Sequence, residues 1–337
     1  MNTFMRRGSK APRTLQEAMI YYASEENCLA ELLAMRWPNG VSCPRCGDMD
    51  VTRIKPKTSK RRRTIWKCNG CKRQFSATIG TIFEDSKLPL SKWFPAFWQL
   101  LATRNGTSSC ELARSLGITQ KTAWFVLHRV RECIASNSVE LATGEVEVDE
   151  SFIGGAEKNK HVHKKLKKGR GTVGKAIVIG FLQRGDQAQH SQIVKAALIP
   201  NRKRETLHSK IHETIAKPSN VYTDAFEAYR EMPSEYAHEF VNHTTEYVRG
   251  KVHTNGLENF WSQLAKCLVG TYVSVQDFHL QRYVDEQVFR FNFRKSSDRW
   301  RFLFGLRMIE GKRLKYERLV TSYERHRDEF GVDGIDY

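Results

Sequence analysis

The spacing of hydrophobic positions changes from helical to alternating in the first part of the chain. Residues 14–36 carry apolar residues at helical spacing, and the turn sequence WPNG at 37–40 ends that stretch. Short alternating runs such as TIWKC and QFSAT then fill residues 41–82 and predict the strands of a small sheet. We therefore expect a helical segment over residues 1–40, followed by a separate β-rich unit.

The spacing changes again in the rest of the chain. It is helical over residues 91–136, with interruptions at the Asn-Gly pair of 105–106 and at Gly117. After residue 144 the runs GEVEVDES, TVGKAIVIGFLQRG, QIVKAALI and NVYTD predict strands, and AFEAYREM predicts a helix directly after the last of them. From Gly256 onward the pattern is mainly helical. These features predict a helical unit, an α/β unit and a C-terminal group of helices.

Four of the eight cysteines form two C-x-x-C pairs, in the sequences CPRCG and CNGCK. Two cysteines at this spacing can bind one metal ion from a tight turn. Two such turns supply a closed tetrahedral set of sulfur ligands, which is typical of structural zinc. The predicted ligands of a single Zn²⁺ ion are Cys43, Cys46, Cys68 and Cys71. The other cysteines are scattered through helical patterns, so we expect a zinc ribbon in a reduced protein.

The run GTSSCELARSLGITQKTAWFVLHRVREC has the pattern of a helix-turn-helix. Ser108 or Ser109 can cap the first helix, Gly117 can form the turn, and Thr119 can cap the second helix. The positions predicted to be buried are Leu112, Ala113 and Leu116 on the first helix and Ala123, Val126, Leu127 and Val130 on the second. An ordinary helical hairpin is the alternative interpretation.

The second of these helices carries the polar residues expected to contact DNA. Gln120, Lys121 and Thr122 lie at its exposed N-terminal end, where a recognition helix reads base edges. Farther along, Arg129 and its neighbours His128 and Arg131 are predicted to reach backbone phosphates. This assignment depends on the helix-turn-helix interpretation.

The charge balance favours a polyanionic partner over a merely well-solvated basic surface. The net charge is +18 and the isoelectric point is about 9.6. Ten Lys or Arg residues lie between Arg53 and Arg73 with no acidic residue among them, and a second cluster runs from Lys158 to Arg170. We therefore expect double-stranded DNA as the partner and no small-molecule substrate.

The second basic cluster lies in a stretch, residues 156–172, between two predicted strands. It is either a DNA-binding insertion or a flexible charged loop. In the first case the phosphate contacts are Lys164, Lys165, Lys167 and Lys168. No window is long and apolar enough for a membrane span, and the basic N-terminus has no apolar segment behind it. We expect a cytoplasmic, nucleoid-associated protein without a membrane partner.

Acidic residues follow an alternating pattern along the strand GEVEVD. Val146 and Val148 are predicted to face one side of the sheet, whereas Glu147 and Asp149 face the other. Acids presented in this way on a strand need a partner that neutralises them. Asp149, at the end of the run, is the predicted metal ligand, and Glu147 and Glu150 are the alternatives for that role.

Two further acids occur at comparable positions. Asp224 ends the predicted strand VYTD, and Glu258 lies in the first turn of the helical sequence NGLENFW. Two acids at adjacent strand ends and one at a helix start can converge on a pair of Mg²⁺ ions, which prefer oxygen ligands. Two such ions stabilise both the attacking and the leaving oxygen of an in-line displacement at phosphorus. The three acids together predict phosphodiester chemistry.

With these residues and motifs the chain resembles the DDE transposases of zinc-ribbon bacterial insertion sequences, the insertion-sequence family numbered fifteen ninety-five, with an ISXO-type transposase domain. The matching stretches are TIFEDSKLPLSKWF, LARSLGITQKTAW, EVDESFIGG, GRGTVGK, VYTDAFEAY, HTNGLENFWS, GTYVSV and HLQRYVDEQVFRFN. They cover nearly the whole chain. The 33 residues between Asp224 and Glu258 agree with the interval expected for such enzymes.

The resemblance implies an RNase H-like catalytic domain in which Asp149, Asp224 and Glu258 bind two Mg²⁺ (or Mn²⁺) ions. It further implies a homo-oligomer on paired element ends. One departure concerns the glutamate helix: the family usually has a Lys seven residues after the glutamate, where this chain has Ala265. Lys266 is one residue farther on, rotated by about 100° around the helix, and its long side chain can still reach a phosphate.

We expect a multidomain α+β protein: an N-terminal zinc ribbon, a helix-turn-helix, and then an RNase H-like α/β catalytic domain with C-terminal helices. The expected boundaries are 1–40 for the N-terminal helical segment, 41–82 for the zinc ribbon, 83–140 for the helix-turn-helix domain, 141–296 for the catalytic domain and 297–337 for the C-terminal helical extension. The expected function is that of an insertion-sequence transposase that cleaves and transfers DNA strands. The alternatives are a non-catalytic DNA-binding regulator derived from a transposase, and a nuclease that cleaves without joining.

Overall fold

A computed structural model describes residues 12–54, 64–135, 140–155, 174–185, 193–241 and 249–320. The chain is mixed α/β and forms two compact units. Unit 1 contains residues 1–134 and 296–316, and unit 2 contains residues 135–295 and 317–337. Part of the C-terminal segment therefore folds with the N-terminal residues. No helix in the described ranges is long and apolar enough to cross a membrane.

Unit 1 begins with two helices, α1 (Leu15–Tyr21) and α2 (Glu25–Arg36), where the apolar spacing predicts one. The interruption has a local cause. Ser24 adopts an extended backbone, and its hydroxyl accepts a hydrogen bond of 3.4 Å from the backbone N–H of Asn27, which caps a new helix. Spacing of apolar residues alone does not detect such an internal cap.

A three-stranded antiparallel sheet follows, as the alternating runs predict. Its strands are β1 (Val51–Ile54), β2 (Ile65–Cys68) and β3 (Gln74–Ser76), in the spatial order β1-β2-β3. The small sheet has an aromatic core, in which the rings of Trp66 and Phe75 stack with centroids 6.0 Å apart. The aromatic core compensates for the small apolar area that so short a sheet can bury.

The rest of unit 1 is helical. Helix α3 (Leu90–Ala102) is buried along most of its length and packs against α9 (Asp298–Arg307). The close approach requires Gly305, because a Cβ atom there would lie 2.5 Å from Cδ1 of Leu101. Helix α3 also contacts the pair of helices described next.

Helices α4 (Ser109–Leu116) and α5 (Gln120–Ile134) are joined by a turn in which Gly117 adopts the left-handed conformation, with φ 62° and ψ 46°. Ser108, the first of the two candidate caps, accepts the N–H of Glu111 at 3.1 Å. The buried positions predicted from the sequence are confirmed: Leu112, Ala113, Leu116, Ala123, Val126, Leu127 and Val130.

Unit 2 is built on a five-stranded sheet in the order β6-β5-β4-β7-β8. Its strands are β4 (Ala142–Ile153), β5 (Ala176–Gln183), β6 (Ile193–Ile199), β7 (Ile215–Asp224) and β8 (Tyr236–Val241). Strands β6, β5 and β4 are antiparallel neighbours, whereas β4, β7 and β8 run parallel. Strand β4 is therefore central, and it continues for four residues beyond Asp149, which lies level with the end of β7.

Helices cover both faces of this sheet. Helix α6 (Arg204–Thr214) contributes to the hydrophobic core on the face that contains Val146 and Val148. Helices α7 (Asn255–Cys267) and α8 (Asp277–Asn292) contribute to the core on the opposite face. The predicted alternation along β4 is confirmed, since Glu147 and Asp149 contact α7 rather than α6.

The prediction of a helix directly after β7 is wrong. The structure has only a single 3₁₀ turn, Glu227–Tyr229. The carboxylate of Asp224 accepts the N–H of Phe226 at 3.1 Å, and the backbone at Phe226 is extended. Such a local side-chain hydrogen bond stabilises a turn at the expense of a helix. The bend also brings Tyr229 into the protein interior.

Candidate active site

The four predicted zinc ligands lie together in unit 1. All of their sulfur atoms lie within 4.8 Å of one another. The distance from Cys43 to Cys71 is 3.7 Å and that from Cys46 to Cys68 is 3.6 Å. Zn–S bonds of about 2.3 Å in a tetrahedron require sulfur atoms about 3.8 Å apart, so the donor set fits one zinc ion.

Two matching turns bring these cysteines together. In each turn the residue after the second cysteine adopts a left-handed conformation, Gly47 with φ 76° and Lys72 with φ 62°. The N–H of Cys71 also points to the sulfur of Cys68, at 3.4 Å. Gly70 is required for steric reasons, because a Cβ atom there would lie 2.3 Å from the Asp48 carboxylate. Local backbone geometry thus presents the sulfur ligands.

The second candidate site lies where β7 ends beside β4. In the parallel pairing of these strands Glu147 is opposite Tyr222. Asp224 lies two residues after Tyr222, at the end of β7, and Asp149 lies two residues after Glu147 within β4, which continues to Ile153 rather than ending at Asp149 as predicted. Their carboxylates are close enough that the charge of Asp224 raises the pKa of Asp149. The structure therefore places the first two predicted ligands next to each other.

The Asp149 carboxylate is hydrogen-bonded by a side chain of α7 and by the backbone of Glu150. Its Oδ2 atom accepts a hydrogen bond of 3.0 Å from the indole N–H of Trp261 on α7. Burial is the main cause that raises the pKa of Asp149 to about 7, with smaller contributions from the charges of Glu150 and Asp224. Two neighbouring carboxylates are an arrangement that a divalent cation neutralises well.

The third predicted ligand, Glu258, lies on α7. It lies in the first turn of that helix, its backbone N–H donates to the carbonyl of Thr254 at 3.1 Å, and its side chain is exposed. In the described part of the chain, the four cysteines form the group of metal-ligating side chains whose donor atoms all lie within 4.8 Å of one another. The carboxylates of Asp149, Asp224 and Glu258 are not all that close together. Glu258 and the two aspartates nevertheless belong to one unit.

The two alternative acids of β4 are both occupied by protein partners. Glu147 is 1% exposed and forms an ion pair of 2.8 Å with Arg184. Glu150 is bound by Arg202 at 2.9 Å and by the hydroxyl of Tyr229. Burial raises the pKa of Glu150 as well. Within the described residues, Glu147 and Glu150 are each paired with an arginine, whereas Asp149 forms no ion pair.

The sequence alone does not indicate the roles of Trp261 and Gly180 in this region. In the sequence, Trp261 occurs at helical spacing with other apolar residues, yet its indole N–H donates a hydrogen bond to Asp149. Its ring lies against Gly180, where a Cβ atom would be 2.7 Å from Cζ2 of Trp261. Gly180 pairs with Asp149 in the sheet. A glycine directly across from a candidate ligand is the signal that could have indicated this contact.

The predicted DNA-reading residues lie at the start of α5 in unit 1. Gln120 and Lys121 are exposed, and Thr122 is half-buried. The Gln120 amide donates to the Ser109 hydroxyl at 2.8 Å, and the Lys121 ammonium lies 5.1 Å from the centre of the Tyr316 ring. The helix start therefore presents an accessible polar surface.

The structure corrects the expectation for Arg129. Its side chain is 4% exposed, and its guanidinium donates to the carbonyl of Glu84 at 2.7 Å. It also lies above the rings of Trp93 and Phe125, and burial lowers its pKa to about 10. His128 and Arg131 are buried too. These side chains are part of the interior and do not reach a phosphate.

Of the two other predicted groups of DNA contacts, the structure describes one. Lys266 and Ala265 are both exposed in the last turn of α7. The residues of the basic loop, Lys164, Lys165, Lys167 and Lys168, lie outside the described residues.

Two family models match the chain. The ISXO2-like transposase domain matches residues 141–292, which include β4 to β8 and helices α6 to α8, and the transposase zinc-ribbon domain matches residues 23–74. The second match contains the four clustered cysteines.

Two relatives agree with these matches. A protein in the transposable element ISH50 of Halobacterium salinarum is 30% identical over 274 residues, which is 78% of this chain and 89% of the relative. A transposase-like protein of Haemophilus influenzae is 33% identical over 100 residues, which is 29% of this chain and 80% of the relative. The chain therefore belongs to the family of transposases that carry the ISXO2-like transposase domain, and a transposase zinc ribbon precedes that domain.

Proposed function

We propose that this protein is an active insertion-sequence transposase that binds the ends of its element and cleaves and transfers DNA strands. The main support for the proposal is the placement of Asp149 on β4 beside Asp224 at the end of the parallel strand β7. Helix α7, which bears Glu258, is attached to β4 through Trp261. Family membership supports the same assignment.

The proposed catalytic domain is RNase H-like. Three antiparallel strands followed by two parallel ones, with the first acid on the central strand, support this assignment. Asp149, Asp224 and Glu258 would hold two Mg²⁺ or Mn²⁺ ions. When bound, such ions neutralise the developing charge on the attacking and leaving oxygens at phosphorus.

The chain's own residues orient this chemistry. Trp261 holds one oxygen of Asp149 toward α7, and the carboxylate would use its remaining lone pairs to bind a metal ion. In the first reaction a water oxygen bonds to phosphorus while the bond to the 3′ oxygen breaks, so that a 3′-hydroxyl is released. In the second reaction that 3′ oxygen bonds to a target phosphorus and displaces the target's own 3′ oxygen. Neither step requires a nucleophilic side chain.

DNA recognition is assigned to unit 1. We infer that α4 and α5 act as a helix-turn-helix, with Gln120, Lys121 and Thr122 at the base edges. The zinc ribbon would add contacts to the element end. The basic loop around Lys164 and the exposed Lys266 would engage phosphates near the catalytic residues. Pairing of two element ends requires at least two copies of the chain, so a homo-oligomer on DNA belongs to the proposal.

A strand-transfer assay with labelled element-end DNA and a target plasmid tests this function. D149N, D224N and E258Q should each abolish Mg²⁺-dependent joining and leave end binding within about twofold of wild type. The control is E213Q, which removes an exposed acid of α6 in the same unit and should join DNA normally. Equal joining by wild type and D149N would overturn the proposal. Binding without any cleavage would indicate a regulator, and hydrolysis without joining a nuclease.

A further inference from the structure

A buried acid next to the candidate metal ligands has both of its oxygens bound by the protein. One carboxylate oxygen of Glu147, Oε1, accepts from Nε of Arg184 at 2.8 Å. The other, Oε2, accepts from the backbone N–H of Leu257 at 3.1 Å. Leu257 belongs to the first turn of α7 and directly precedes Glu258 in the chain. An acid on β4 thus binds the start of the helix that bears the third ligand.

Arg184 extends this contact to the segment that leads into α7. Its guanidinium donates to the carbonyl of Lys251 at 2.6 Å and to that of His253 at 2.7 Å. Its backbone N–H donates to the carbonyl of Glu145 at 2.9 Å. Charge-assisted hydrogen bonds of this kind are stronger and more directional than neutral ones. Arg184 therefore attaches both the approach to α7 and Glu147 to the end of β5.

The contact requires a glycine in the helix. A Cβ atom at Gly256 would lie 2.8 Å from Oε2 of Glu147 and 2.8 Å from Cδ1 of Leu182. Real Cβ atoms do not approach other atoms so closely, so an alanine here would force the Glu147 carboxylate, the Leu182 methyl group or the helix itself to move. The fit between Glu147 and the helix start therefore leaves no free space.

We propose that Glu147 is a positioning residue that fixes the start of α7, and with it Glu258, relative to Asp149. The proposal rests on the metal site proposed above. Glu147 is two residues before Asp149, and its partner Leu257 is one residue before Glu258. A hydrogen bond from the Leu257 backbone to the Glu147 side chain therefore links the two segments that carry these ligands. Glu147 does not bind the metal itself, because both of its oxygens face protein donors.

The charge of Glu147 has a specific use in this arrangement. A carboxylate can accept from Arg184 with one oxygen and from Leu257 with the other, whereas an amide has only one accepting oxygen. The negative charge also interacts favourably with the positive end of the α7 dipole. Residues that orient metal ligands typically change metal affinity by about 10-fold to 100-fold when they are replaced. The variant E147Q, which keeps the size of the side chain, should therefore weaken metal binding.

Calorimetric titration of the whole protein with Mn²⁺ measures this effect without requiring DNA or turnover. The expected result is a Kd about tenfold or more higher for E147Q than for wild type. Strand transfer by E147Q should need correspondingly more Mg²⁺ for half-maximal rate and should recover at saturating Mg²⁺. A purely structural role would lower the melting temperature without this recovery.

Two further variants make the experiment decisive. E145Q is the matched control, since Glu145 also lies near Arg184, at 3.7 Å, but is not hydrogen-bonded to α7; its Mn²⁺ affinity should stay within twofold of wild type. G256A perturbs the same contact from the helix side without changing any charge, and it should weaken Mn²⁺ binding as E147Q does. If E147Q does not fold, the Mn²⁺ affinity of G256A tests the positioning role by itself.

The outcomes separate this proposal from the proposed function. Mn²⁺ affinity within twofold of wild type in both E147Q and G256A, with binding abolished in D149N, would overturn the positioning role and leave the metal site intact. Mn²⁺ binding that is unchanged in D149N would overturn the metal site itself. Weakened binding in E147Q and G256A, with normal binding in E145Q, supports the positioning role.

Discussion

Trp261 donates its indole N–H to Oδ2 of Asp149 at a distance of 3.0 Å. Trp261 is three residues after Glu258 on α7, so the two side chains lie on neighbouring positions of one helix face. The bond therefore joins the first proposed ligand to the helix that bears the third. Gly180, across from Asp149 in the sheet, leaves room for the indole ring.

Replacing Trp261 with Phe should slow strand transfer without preventing it. The change removes a hydrogen bond to a charged group, worth roughly 1.5 kcal/mol, which corresponds to about a tenfold lower rate at neutral pH. The hydrogen bond also lowers the pKa of Asp149, so that pKa should rise in W261F. Single-turnover rates across pH measure both effects. W300F in unit 1 is the control, and equal rates for wild type and W261F would contradict the assigned role.

The raised pKa of Asp149 makes metal binding dependent on pH. Because that pKa is about 7, Mg²⁺ must displace a proton below neutral pH, and its affinity should fall by up to about tenfold per pH unit there. Calorimetry at several pH values measures both the affinity and the number of protons released. Affinity that is independent of pH between 5 and 8 would contradict this prediction.

The same pKa has a consequence for the stability of the protein without Mg²⁺. A carboxyl group whose pKa is higher in the folded state than in the unfolded state stabilises the fold below its unfolded pKa, and this contribution is lost as the pH rises through about 7. The melting temperature in Mg²⁺-free buffer should therefore fall less with rising pH in D149N than in wild type. Identical pH profiles of the two proteins would contradict the shift.

The zinc ribbon should depend on all four cysteines. C43S removes one ligand of a closed site, so the protein should lose its zinc and the order of the β1–β3 sheet. Metal analysis should give about one zinc per chain for wild type and almost none for C43S. C110S is the control, because Cys110 is an exposed free cysteine on α4, and it should retain zinc. Full zinc content in C43S would contradict the assignment.

Two basic residues of α5 should behave differently. K121A should weaken binding to element ends and reduce its salt dependence, because Lys121 is exposed at the helix start. R129A should instead destabilise the protein by roughly 1–3 kcal/mol, because it leaves the Glu84 carbonyl without its buried donor. Thermal melts and binding isotherms separate these effects. A stable R129A protein with weakened DNA binding would restore Arg129 as a contact.

The sequence predicts the strand and helix positions of the acids well, because alternation on β4 and apolar spacing on α7 are local properties. It fails for Arg129, which falls three residues after Val126 and thus near the buried face of α5. The rule that arginines are exposed is overridden there by contacts with Trp93 on α3 and with Phe125 on α5 itself. Glu147 is similar: the strand pattern gives its side of the sheet, but its partners come from residues 37 and 110 positions away.

The central claim is that Asp149, Asp224 and Glu258 form one metal site. Anomalous diffraction from crystals of the protein bound to element-end DNA and Mn²⁺ tests it most directly. We expect Mn²⁺ between the carboxylates of Asp149 and Asp224, with Glu258 as a further ligand and Glu147 still bound to Arg184. Mn²⁺ held by Glu147 or Glu150 instead, or by none of these acids, would contradict the account.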